Sequence, residues 1–212
     1  MPPTPPQDQA ALNAIGVDPR YADPSYTTLK GTGAHEAAHS VVGNMEGEST
    51  AGMDVLAPGF GVTASNIRYQ PPMPEENLVG ISAAKNAGGL QDLTTYGHPT
   101  GGWESDWRGI IPAMSKFNPN LPPDKLFQDM TKGRARAISD LMLPGVQTAI
   151  HRISDVAANG PAQPVRNVTG TQVREEMRKQ KLPTHAPIHN EDEEEQDTQN
   201  QLYNYLRAIG TK

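Results

Sequence analysis

The sequence predicts a mainly α-helical domain carrying one small β-hairpin or sheet, flanked by an extended N-terminal arm and an acidic C-terminal tail. Three observations predict it. His35-Glu36-Ala37-Ala38-His39 lies in a stretch whose Leu29, Ala34, Ala37, Ala38, Val41, Val42 and Met45 fall on one helical face. Apolar rows at helical spacing return at 75–93, 103–117 and 123–158. Only 53–69 changes character, with Met53-Asp54-Val55-Leu56 and Gly61-Val62-Thr63-Ala64 flanking the turn pair Pro58-Gly59.

In chain order, residues 1–24 are rich in Pro, Gln, Asp and Ala and read as an arm with one short helical turn near Gln9–Ile15. The helix around Tyr26–Glu46 is weakened at its start by Gly31 and Gly33, which places its beginning near Thr32, and Gly47 is its C-terminal stop. The hairpin follows, with Asn66–Tyr69 prolonging its second strand. Pro71, Pro72 and Pro74 then break the chain before a helix at Glu75–Leu93, whose apolar row Gly88-Gly89 interrupts.

Thr94–Gly102 reads as a loop, and Trp103–Phe117 as an amphipathic helix kinked or shortened at Pro112. A helical hairpin covers about Pro123–Ala158, broken near Pro144-Gly145. Thr169-Gly170-Thr171-Gln172 caps a last short helix through Lys181. The domain therefore spans 25–181. Residues 182–212 form a disordered tail up to a helix-capable end at Gln199–Ile209.

Composition narrows the chemistry. The 212 residues contain no cysteine, which excludes disulfides and thiolate metal sites. The net charge is −6, of which the tail beyond residue 190 takes −4, leaving −2 on the rest. That balance calls for neither nucleic acid nor an anionic membrane surface. No apolar run reaches the length of a membrane span, and the opening Met1-Pro2-Pro3-Thr4-Pro5-Pro6 is not a secretory signal. The expectation is a soluble chain, cytoplasmic or virion-associated.

On a helix, His35 and His39 lie one turn apart on one face, where two imidazoles share one metal ion. Glu36 projects about 100° around the helix, beside the ion rather than onto it, which suits a general base. This is the pattern of a zinc metallopeptidase. Zinc sites of this kind take a third protein ligand and leave a position for water. The spacing leaves that ligand open among His98, His151, His185, His189 and a carboxylate, because no His-x-x-Gly-x-x-His follows the motif.

From Ala34 to about Lys181 the order of features resembles the peptidase domain of FtsH-type zinc proteases, the proteolytic half of a membrane-bound AAA protease. His35-Glu36-Ala37-Ala38-His39 is similar to that family's HEAGH helix, with Ala38 in place of a glycine. Met53–Gly59 resembles the strand and turn that come next. Ala87-Gly88-Gly89-Leu90-Gln91-Asp92-Leu93 is similar to its LGGRAAEEL helix. Thr100-Gly101-Gly102-Trp103-Glu104-Ser105-Asp106-Trp107 resembles TGASNDL, whose aspartate is the third metal ligand, and Val168-Thr169-Gly170-Thr171-Gln172-Val173 is similar to LTGEEV.

The resemblance implies a Zn2+ ion held by His35, His39 and Asp106, with Glu36 as general base, in a metalloendopeptidase that cleaves flexible or unfolded polypeptides. The chain has no Gly-x-x-x-x-Gly-Lys-Ser/Thr loop, so as a single chain it acts without ATP. Two bulky residues, Trp103 and Trp107, flank the implied ligand, which bears on substrate range. The second hairpin strand, Gly61, Val62, Thr63 and Ala64, is placed to hold substrate by main-chain pairing. A second reading is an interaction or structural protein that keeps this fold. Its arm and acidic tail would then dock protein partners in a larger assembly such as a virion.

Overall fold

The computed structural model describes residues 28–66, 72–97, 101–160 and 166–185. Among them are α1 (Leu29–Met45), β1 (Ser49–Ala57), β2 (Phe60–Asn66), α2 (Glu75–Tyr96), α3 (Gly101–Phe117), α4 (Pro123–Leu141), α5 (Val146–Asn159), β3 (Arg166–Thr169) and α6 (Gly170–Lys179). The mainly helical class with a small sheet is as expected. The arm, the residues at 67–69 expected to prolong the second strand, His98, and the tail from residue 186 with the helix expected at its end lie outside the described residues.

α1 is the centre of the molecule, packed on α2, α5, α6 and the sheet. It begins at Leu29, ahead of the expected Thr32, because the Thr28 hydroxyl caps it by accepting from Gly31 N at 3.0 Å. Neighbours on several sides bury nearly all of it, so its apolar stripe is wider than an amphipathic surface helix needs. Val41 and Val42 are fully buried, each contributing about 1.5–3 kcal/mol. They join Ile150 and Ile153 of α5, Met53 and Val55 of β1 and Met177 of α6 in the larger core. Gly47 does end the helix, at φ 89°, a conformation a side chain resists.

α2 lies between two cores, which explains why its apolar residues are not confined to one stripe. Ala83, Ala87 and Leu90 face the α1 core, while Leu78 and Ile81 meet Ile110 and Met114 of α3 and Met130 of α4. Gly88-Gly89 does not break it, and it runs on to Tyr96, while α3 begins at Gly101, so both ends of the expected loop at 94–102 are helical. Pro112 likewise sits inside α3 without ending it. On α3 Ile110, Met114 and Phe117 are buried, whereas Trp107 and Ile111 are exposed.

The sheet is antiparallel, in the order β2-β1-β3. β1 starts at Ser49, four residues before the expected Met53, and bulges twice against β2. The hairpin turn at Pro58-Gly59 is tied down by Gly59 N, which donates to Thr32 Oγ1 of α1 at 2.7 Å. β3, a four-residue strand paired with Gly52–Val55, is absent from the sequence reading, being too short to show alternation. β2 is left at the edge, with one side of its backbone unpaired within the sheet. After α6, Leu182 is buried and His185 N donates to Asn44 O at 3.0 Å, so the chain packs back against the end of α1 before residue 186. No helix among the described residues is long and apolar enough to cross a membrane.

Candidate metal centre

Two turns of α1 and one residue of α3 converge on a point beside α2. His35 Nε2 and His39 Nε2 lie 3.1 Å apart, and each is 3.0 Å from Asp106 Oδ2. His35 is nearly sealed, His39 is 10 % exposed at its side chain and Asp106 20 %. Asp106 reaches them because α3 packs close against α2, with Trp103 lying over the flat spot left by Gly89. The Arg134 guanidinium lies over that indole, 5.3 Å from the ring centre.

The far nitrogen of each ring is held. His39 Nδ1 donates to the Ala84 carbonyl at 2.7 Å, and His35 Nδ1 to Asp92 Oδ2 at 2.8 Å. A carbonyl can only accept, so the proton of neutral His39 sits on Nδ1 and its Nε2 presents a lone pair. Asp92, buried at 1 % exposure, does the same for His35. Two imidazole lone pairs and a carboxylate oxygen thus point at one another, an arrangement that asks for a cation. A tetrahedral zinc ion with bonds of about 2.0–2.1 Å separates its ligands by about 3.3 Å, close to the spacing here. Rings oriented from behind by a carboxylate and a carbonyl are how metal-binding histidines are usually fixed. The donor set therefore fits Zn2+.

Electrostatics favours positive charge at this point. Burial pulls the His35 pKa down, but Asp106 and Asp92 outweigh it and hold it well above the usual 6.5. Burial pushes Asp106 up, and His39 and His35 overcome that to keep its carboxyl far below the ordinary carboxylate range.

Glu36, next along α1, is buried and receives the Thr63 hydroxyl on Oε2 at 2.7 Å. It fits because β2 has no side chain at Gly61, where a Cβ would lie 2.6 Å from Glu36 Cγ. A cleft of about 160 Å³ opens here, walled by Glu36, His39 and Asp106 on one side and Gly61, Val62 and Thr63 on the other. Ala64, the fourth strand residue expected to meet substrate, is buried at 2 % exposure and does not line it. Strand alternation turns it toward the core. His151 is exposed on α5 and His185 lies beyond α6, so neither joins the triad, and His98 and His189 lie outside the described residues.

Three acidic or glycine positions at the site were given no role there by the sequence reading. Asp92 and Glu48 bear on the site only through contacts made across the fold. Gly88 was read as an interruption, although a glycine pair inside an otherwise apolar helical row is itself a signal of close packing. Glu48, 4 % exposed, also lines the cleft, and burial pushes its carboxyl up to about 7 against the opposing pull of Lys85, Ser65 and His39. Asp54 on β1 is fully buried with both oxygens lacking a hydrogen-bond partner among the described residues. Burial and then the Glu36 charge push it up to about 7.

Compared with known proteins, the chain matches no family model and no curated protein.

Proposed function

We propose that this chain is a zinc-dependent endopeptidase of the FtsH type, with His35, His39 and Asp106 as the zinc ligands and Glu36 as general base. The observation that carries the reading is the convergence of three electron-pair donors at 3.0–3.1 Å, with the back of each imidazole locked by Asp92 or the Ala84 carbonyl. When bound, zinc supplies a Lewis acid that acidifies water and polarises a carbonyl.

The chain's own groups do the rest. The Thr63 hydroxyl fixes Oε2 of Glu36, which leaves Oε1 to take a proton from the attacking water and hand it to the leaving amine. The edge backbone of β2 offers N–H and C=O groups to an extended peptide laid along Gly61–Thr63, residues that line the same cleft as His39 and Asp106. Main-chain pairing needs an extended segment, so flexible or unfolded polypeptides are the substrates this edge accepts.

The test is zinc content by elemental analysis together with cleavage of an unfolded protein substrate. Glu36→Gln is expected to retain zinc and lose about 10²–10⁴-fold in rate, the usual worth of a positioned base. A purified chain that holds no zinc, or a Glu36→Gln variant as active as wild type, overturns the reading.

A further inference from the structure

Two groups of opposite charge that the proposed chemistry does not use, Glu48 and Lys85, line the same cleft as His39. Glu48, in the link from α1 to β1, is anchored by its N–H donating to Gly43 O at 2.8 Å. The Ser65 hydroxyl of β2 hydrogen-bonds its carboxylate, while Oε1 has no partner among the described residues. Lys85 of α2 lines the same cleft, one residue after the carbonyl that orients His39, and acts on Glu48 through charge without a hydrogen bond to it.

A buried carboxylate oxygen without a donor costs free energy that a bound N–H group would recover. An entering cation is attracted by Glu48 and repelled by Lys85, and an entering anion meets the reverse. A primary amide satisfies both, since its N–H groups donate to Glu48 and its carbonyl accepts from the Lys85 ammonium. The cleft as a whole measures only about 160 Å³, too little to admit a large aromatic side chain beside the peptide.

We propose that Glu48 and Lys85 form a specificity subsite for a glutamine or asparagine side chain flanking the scissile bond. This rests on the peptidase reading and adds to it a substrate class. Hydrogen bonds to charged partners are worth enough to give about 10–100-fold discrimination over isosteres that lack the amide.

The experiment digests a randomised peptide mixture with the zinc-loaded full chain and reads the cleavage sites by mass spectrometry. Gln and Asn are expected to be enriched about 10–100-fold at one position beside the cut. Lys85→Met is expected to move that preference toward Lys and Arg, and Glu48→Gln toward Asp and Glu, each at unchanged zinc content. Cleavage with no amide preference in the wild type overturns the subsite and leaves the peptidase standing. Cleavage of nothing by the zinc-loaded chain overturns both. The wild-type profile decides the first point alone, so a variant that fails to fold leaves the test intact.

Discussion

Gly88 of α2 lies so close to His39 that a methyl group in place of its hydrogen would overlap Nε2, and would also come within 2.7 Å of His35 Nε2. The donor triad depends on this gap between two helices. Gly88→Ala gains up to about 1 kcal/mol in helix propensity, yet it must displace at least one imidazole. Zinc affinity is expected to fall about tenfold or more while the helical content stays unchanged, as measured by competition with a chromophoric chelator and by circular dichroism. Wild-type affinity in this variant would mean that the rings do not meet the ion where the triad places it.

Asp92 takes the Nδ1 proton of His35 from a fully enclosed position. Asp92→Asn keeps the shape but removes the anion that orients and polarises the ring. Metal affinity is expected to drop about 10–100-fold, the range found for such outer partners. Retention of full affinity on titration with zinc would show that packing alone orients His35.

Thr63 touches the proposed base and none of the proposed zinc ligands, donating to Glu36 Oε2 at 2.7 Å. Thr63→Val keeps the volume and loses the donor. The expected outcome is unchanged zinc content and a lower kcat at nearly constant KM, since the loss falls on orientation of the base. A rise in KM alone would assign Thr63 to substrate binding instead.

Stability should depend on pH in a particular direction. The carboxyls of Glu46, Glu48 and Asp54 are each pushed up to about 7 in the folded chain, from ordinary values of 4.5, 4.5 and 3.8. Between those limits the folded state binds more protons than the unfolded one. Their contribution is therefore fully present below pH 4 and is lost as the pH rises through 7. Asp54→Asn removes a buried charge that has no hydrogen-bond partner among the described residues. It is expected to raise unfolding free energy by about 1–3 kcal/mol at pH 8 and by little near pH 4, measured by urea denaturation. Equal effects at both pH values would show that charge burial is not the cause.

Much of the helical layout was legible in advance. The one-sided apolar rows of α3, α4 and α5 carry their period openly, and Thr169 and Gln172 make the expected reciprocal cap of α6. The errors share one cause, namely tertiary contact overriding local propensity. Gly31 and Gly33 were read as weakening α1, and Gly88-Gly89 as interrupting α2, but in each case a neighbouring side chain occupies the space a Cβ would need. β3 exists only because β1 offers it hydrogen-bond partners.

By itself, then, the sequence determined that His35, Glu36 and His39 share two turns of one helix, because an i, i+4 spacing fixes direction within a helix whatever surrounds it. It also supplied Asp106, through the order of motifs rather than through spacing. Only the tertiary structure decided that Asp106 of α3 lies 3.0 Å from both rings and that Asp92 and the Ala84 carbonyl stand behind them. Only there do Glu48 and Lys85 come to line one cleft. The reason is physical. Groups dozens of residues apart in the chain meet only where the elements pack closely enough, and here that closeness depends on the absence of side chains at Gly61, Gly88 and Gly89.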